Sequence, residues 1–179
     1  LLLVAPWGRA VAQSPSIIGA NEPPFYLATI GAQALVGQFN NPTYAAVGVD
    51  GIVYVSDTGN HRIQIFDASG RFVGAWGSRG EGDGQFNMPL GVAVTTDGAV
   101  FVVDSGNHRV QRFSAQGAFL GKWGSLGAGE GQFNSPQDVA LEPDGTVYVT
   151  DQKNYRVQHF NAYGVFLDAW GRRGTSQGQ

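Results

Sequence analysis

Cysteine is absent from the chain, which removes disulfides, thiolate metal sites and cysteine nucleophiles together. Exported proteins do not require cysteine, so its absence leaves the compartment open. Charge is scarce: Asp, Glu, Lys and Arg make up 14% of residues, against about 25% in an average soluble domain. A net charge of −3 supplies no general attraction for phosphate, so nucleic acid is disfavoured as a partner. Long apolar runs are lacking too. The stretch Leu1–Trp7 is too short to cross a bilayer, and no membrane span is expected. Catalytic signatures are equally thin. No Gly-x-Ser-x-Gly elbow occurs. The glycine-rich runs Gly80–Gly84 and Gly127–Gly131 are not followed by Gly-Lys-Ser/Thr, so they read as flexible connecting loops rather than phosphate cradles. Asp97-Gly98 and Asp144-Gly145 lack the Asp-x-Asp-x-Asp-Gly spacing of a calcium loop and read as hairpin turns.

What the chain has in excess is glycine, 27 of 179 residues, roughly twice the usual share of about 7%. Together with 42% hydrophobic residues, this composition points to short strands joined by tight turns. An internal repeat organises them. Gly37-Gln38-Phe39-Asn40 returns as Gly84-Gln85-Phe86-Asn87 and as Gly131-Gln132-Phe133-Asn134, each time 47 residues on. Pro42, Pro89 and Pro136 keep the step, as do Asp57, Asp104 and Asp151, then Arg62, Arg109 and Arg156, and finally Trp76, Trp123 and Trp170. In the second copy the punctuation predicts strands over 90–96, 99–103, 109–114 and 118–123. Four antiparallel strands repeated at this period are the signature of β-propeller blades. A blade cannot bury both faces alone, so it must stack on neighbours. The aromatics at fixed positions (Phe66, Phe113, Phe160 and the tryptophans) are expected to form the core between blades. The fold class is therefore all-β, with blades over 37–83, 84–130 and 131–177.

Val55-Ser56-Asp57-Thr58-Gly59-Asn60-His61-Arg62-Ile63-Gln64-Ile65-Phe66 resembles the core of an NHL repeat, as does Val102–Phe113. Asp151–Gln158 is similar, with Tyr155 in place of His. The Gln-Phe-Asn-x-Pro start and Trp-Gly end strengthen the likeness, which covers residues 25–179. The resemblance implies a propeller, commonly of six blades, in a secreted bacterial type of protein. Two other readings come with it. Peptide-amidating lyases have NHL-like blades and hold zinc through histidines just after the blade proline. Here those positions are Thr43, Leu90 and Gln137, so an enzyme would need its site in other blades. Tripartite-motif proteins use NHL propellers in RNA binding and ubiquitin-ligase scaffolding. That reading is weakened by the missing cysteine-rich zinc module and the acidic charge.

The ends carry expectations of their own. Residues 1–12, with the small-x-small pattern Ala10-Val11-Ala12, read as a signal-peptide remnant, which implies a secreted or periplasmic protein. Residues 13–24, with Pro15, Pro23 and Pro24, read as a linker. Residues 25–36 read as an orphan fourth strand. Gly178-Gln179 falls where another repeat would open, so the chain is expected to be part of a longer propeller. Closing a six-blade ring needs on the order of three further units.

Repetition also filters the candidate chemistry, because a residue found in every blade is expected to be structural. His61 and His108 recur in a turn, and the three aspartates are expected to organise that turn by accepting its N–H groups and pairing with Arg. His159 has no matching ligand. No catalytic residue, cofactor or metal site is expected. Divergent positions on the channel-mouth face are the candidate ligand-binding residues: Thr43, Tyr44, Met88, Leu90, Gln137, Asp138, Lys153 and Tyr155. The expected partner is a protein, peptide or glycan bound on that top face.

Overall fold

The computed structural model describes residues 37–178. The apolar start (1–12), the linker (13–24) and the strand expected over 25–36 lie outside the described residues, as does Gln179. Three antiparallel four-stranded sheets follow one another along the chain. Blade I comprises β1 (Pro42–Val47), β2 (Val53–Asp57), β3 (Arg62–Phe66) and β4 (Phe72–Trp76). Blade II comprises β5 (Pro89–Val94), β6 (Val100–Asp104), β7 (Arg109–Phe113) and β8 (Phe119–Trp123). Blade III comprises β9 (Pro136–Leu141), β10 (Val147–Asp151), β11 (Arg156–Phe160) and β12 (Phe166–Trp170). Strand order in every sheet is the order in sequence. The first strands β1, β5 and β9 lie side by side, which makes them the inner strands of the array.

Local chemistry explains these boundaries. Asp97-Gly98 closes the first hairpin of blade II, with Gly98 at φ +85° and its N–H on the Thr95 carbonyl; glycine reaches this left-handed conformation without a Cβ clash. Stacking shows in the burial of equivalent strands. All five residues of β6 are buried, whereas β10 alternates buried with more open positions. A strand covered on both faces reads as a continuous apolar run, and one with an open face alternates.

The core lies between blades rather than within them. One cluster joins Tyr54, Ile63 and Ile65 of blade I to Phe86, Val92, Val100, Val102 and Phe113 of blade II. A second joins Phe101, Val103 and Val110 to Phe133, Val139, Val147, Val149 and Phe160 of blade III. Of the expected aromatic core, Phe113, Phe160, Trp76 and Trp123 belong to these clusters, whereas Phe66 and Trp170 belong to neither; the phenylalanines of the second and third Gly-Gln-Phe-Asn motifs join them. Phe86 and Phe133 are fully buried.

Each joint is two reciprocal fits of a ring on a glycine. Trp76 lies on Gly117 of the next blade, so close that a Cβ there would come within 2.7 Å of the indole. Phe86 lies on Gly77 of the preceding blade, where a Cβ would come within 2.6 Å of the ring. The second joint repeats both fits, with Trp123 on Gly164 and Phe133 on Gly124. Trp76 and Phe113 have ring centroids 5.5 Å apart across the first joint, and Trp123 and Phe160 are 5.7 Å apart across the second.

Candidate binding face

The repeated aspartates anchor one face of the array. In blade II, Asp104 Oδ1 accepts the Asn87 amide N–H at 2.7 Å. Its Oδ2 accepts Asn107 Nδ2, Arg109 Nε at 2.7 Å and Gln111 Nε2. Blades I and III repeat this cage around Asp57 and Asp151. The amide comes from the Gly-Gln-Phe-Asn loop, 17 residues upstream, and not from the turn after the aspartate as expected. The turn contributes the side-chain N–H of Asn60, Asn107 or Asn154, and the arginine pairing is as expected, but the aspartate caps no backbone N–H of its own turn. All three carboxylates are buried, and both oxygens of each accept hydrogen bonds.

The arginines carry the anchoring further. Arg109 donates to the carbonyls of Glu81, Gly82 and Gln85, and Arg156 to those of Gly129 and Gln132. The glycine-rich loops are therefore pinned to the cage, a correction to their reading as flexible loops. Gln111 and Gln158 complete the cage by donating to Gln85 and Gln132 carbonyls. These glutamines recur at the repeat step and were legible on that ground, but sequence reasoning passed over them.

Electrostatics differ between equivalent cages. Burial pushes the Asp57 carboxyl up, but the Asn40 amide and the side chains of Asn60, Arg62 and Gln64 outweigh it, so its pKa lies below the ordinary value. Burial wins at Asp104, whose pKa is raised despite equivalent partners. Asp104 belongs to the blade sandwiched on both sides, where water is furthest from the charge.

A short 3-10 turn follows each aspartate: Thr58–Asn60, Ser105–Asn107 and Gln152–Asn154. Each packs on the loop that starts its own blade. Gly59 and Gly106 donate to the Asn40 and Asn87 carbonyls at 2.8 Å. A Cβ on either glycine would come within 2.8 Å of that asparagine. Lys153 stands at this position in blade III, and its bond to Asn134 is longer, at 3.1 Å. The turns end on His61, His108 and Tyr155, all in the left-handed conformation. His61 Nδ1 accepts the Met88 amide and His108 Nδ1 the Ser135 amide, both at 3.2 Å. The histidines thus latch each blade to the next, and Tyr155 lacks that acceptor.

The divergent pairs on the first strands fall in β-bulges. Register slips by one residue between Pro42 and Ala45, between Pro89 and Val92, and between Pro136 and Val139. Thr43-Tyr44, Leu90-Gly91 and Gln137-Asp138 occupy the slips, where a bulge re-aims side chains. The eight candidate residues then separate. Leu90 is only 8% exposed, and its carbonyl accepts the Ser56 hydroxyl of the preceding blade. Tyr44 packs on the first inter-blade cluster. Asp138 accepts the Val139 amide and backs onto Gly91. Thr43 is exposed and hydrogen-bonds Thr58 at 2.6 Å. Met88, Lys153 and Tyr155 are exposed. Gln137 and Tyr155 share a cleft of about 450 Å³ beside Trp170. Among the described residues no cluster of three or more His, Cys, Asp or Glu could hold a metal ion, and no helix is long and apolar enough to cross a membrane.

Inner first strands, inter-blade cores and a turn face of repeated cages define a repeat protein of the β-propeller class. The NHL repeat family model matches residues 39–66, 86–113 and 133–160, so the chain carries three NHL repeats. Protein brain tumor of Drosophila melanogaster is 49% identical over 47 residues, covering 26% of this chain and 4% of that protein. B-box type zinc finger protein ncl-1 of Caenorhabditis elegans is 56% identical over 36 residues, covering 20% of this chain and 4% of that protein. A streptogramin B lyase superposes with a TM-score of 0.58 at 15% identity, covering 73% of this chain and 40% of the lyase. Kuenenia stuttgartiensis hydrazine synthase superposes with a TM-score of 0.58 at 17% identity, covering 82% and 39%. At these identities the two structures show the fold alone. The chain spans 4% of the length of the two sequence relatives.

Proposed function

We propose that this propeller is an interaction scaffold that binds a protein or peptide on its turn face, outside the cytoplasm. One observation carries the reading. The repeated Asp, Arg and turn Asn side chains and the two histidines on that face are engaged in the cages and latches, whereas Met88 and Lys153 project beside them and vary from blade to blade. A rigid frame with variable projecting residues is how loops on a fixed scaffold carry recognition. Met88 is half exposed and unbranched, and such a side chain adapts to an apolar partner surface. Lys153 supplies a cation in a chain that is acidic overall, which favours a partner with an acidic or amide-rich segment near it. The net negative charge weighs against RNA. Export rests on reading residues 1–12 as a signal-peptide remnant.

Peptides selected from a displayed random library against the full chain test the reading. Calorimetry of the tightest peptide should show binding weakened about tenfold or more in Met88→Ala/Lys153→Ala, which corresponds to about 1.4 kcal/mol. The β-rich circular dichroism should be unchanged. Unaltered affinity in that variant would refute the assignment of the face.

A further inference from the structure

The outer strands β4, β8 and β12 each end their sheet, with one edge unpaired among the described residues. Such an edge is a template for another strand, and proteins guard it with bulges, short strands and charged side chains. All three outer strands are five residues long, and each slips register against its neighbour. Their charges differ. Arg71, just before β4, pairs with Asp67 at 2.9 Å. Lys122 on β8 pairs with Asp83 at 2.6 Å. Val165 and Ala169 stand at those two steps in blade III, so β12 has neither cation. Arg71 and Val73 of blade I correspond to Ala118 and Leu120 of blade II and to Val165 and Leu167 of blade III. Val165 and Leu167 are 58% and 51% exposed, and Phe166 between them is half-buried. Blade joints do not cover these positions. Blade II has a described blade on each side, and its Leu120 is still 53% exposed. Asp168 stands at the step of Gly121, where a Cβ would meet nothing within 4 Å with blade III in place. The row therefore belongs to the rim of the array.

We propose that β12 accepts an extended segment of a partner protein as a fifth strand, one in which apolar residues alternate with Lys or Arg. In strand addition the open edge supplies main-chain hydrogen bonds, and alternate side chains supply selection. Val165 and Leu167 favour apolar groups beside them. Asp168 favours a cation: it accepts the Ala169 amide at 2.7 Å and enters no ion pair among the described residues. Opposite charges on paired strands attract and like charges repel. A second copy of β12 would bring another carboxylate to this edge, so the fitting occupant is a basic strand of a different protein. At β4 and β8 the same segment would meet Arg71 or Lys122. The rim is apart from the turn face, so this docking does not rest on the scaffold reading above.

The probe is a labelled, end-blocked peptide of about ten alternating Val and Lys residues, the length of a long strand. Its fluorescence anisotropy, titrated with the full chain, should show saturable binding. Affinity should fall about tenfold or more for Val165→Gln/Leu167→Gln and for a matched Val-Glu peptide. It should fall as far for one of two peptides N-methylated at every Val or at every Lys, because one set of amides faces β12. Met88→Ala/Lys153→Ala should bind the Val-Lys peptide like the wild type. Hydrogen exchange of the wild type gives a readout free of substitutions: the peptide should slow amides of β12 and leave those of β8 unchanged. Absence of saturable binding would overturn the proposal. So would equal binding of both N-methylated peptides or of the Val-Glu peptide, unaltered affinity in the Val165/Leu167 variant, or protection at β8 instead of β12.

Discussion

Asp57 and Asp104 have the same kinds of hydrogen-bond partners, yet the fold moves their pKa values in opposite directions. The sign of each contribution to stability follows. At Asp57 the folded value lies below the unfolded one. Its stabilisation is therefore present above the unfolded value and is lost as pH falls through the folded value. At Asp104 the folded value is raised. The cost of ionising it grows as pH rises from the unfolded value and is complete above the folded one. A carboxyl-carbon NMR titration should place the Asp57 midpoint below the ordinary 3.8 and that of Asp104 above it. The reverse order would mean that blade stacking does not keep water from the middle cage.

At the scale of strands and turns, most of the frame was legible because it repeats. The 47-residue step marks the blades, and in blade II the strands fall within two residues of their expected ends. The role of the phenylalanines in the Gly-Gln-Phe-Asn motif was not legible. Their partner is a glycine one blade earlier, and spacing within a repeat carries no information about contacts between repeats. The candidate face was legible only as a set of differences. Sequence could mark Tyr44, Leu90 and Asp138 as divergent, but not show that a bulge turns them into packing, a carbonyl bond and a local cap. The histidine latches belong to this scale as well. His108→Ala leaves the Ser135 amide without its acceptor, which should cost about 1 kcal/mol. Hydrogen exchange at that amide should become faster while exchange within β6 stays slow. Unchanged exchange at Ser135 would remove the latch from the account.

At the scale of the whole array, folding energy is placed between blades, and the three tryptophans make this separable. Trp76, Trp123 and Trp170 make the same contact inside their own blades, with centroids 6.0, 6.0 and 5.8 Å from Tyr54, Phe101 and Tyr148. Among the described residues only Trp76 and Trp123 also lie against a following blade, on Phe113 and Phe160. The most direct test compares the stability of Trp123→Ala and Trp170→Ala by denaturant unfolding. The joint account predicts a loss of about 3–5 kcal/mol for Trp123→Ala, as for other buried aromatic truncations, and about 1 kcal/mol or less for Trp170→Ala. Equal losses would contradict it, because they would place the work of the tryptophan inside its own blade.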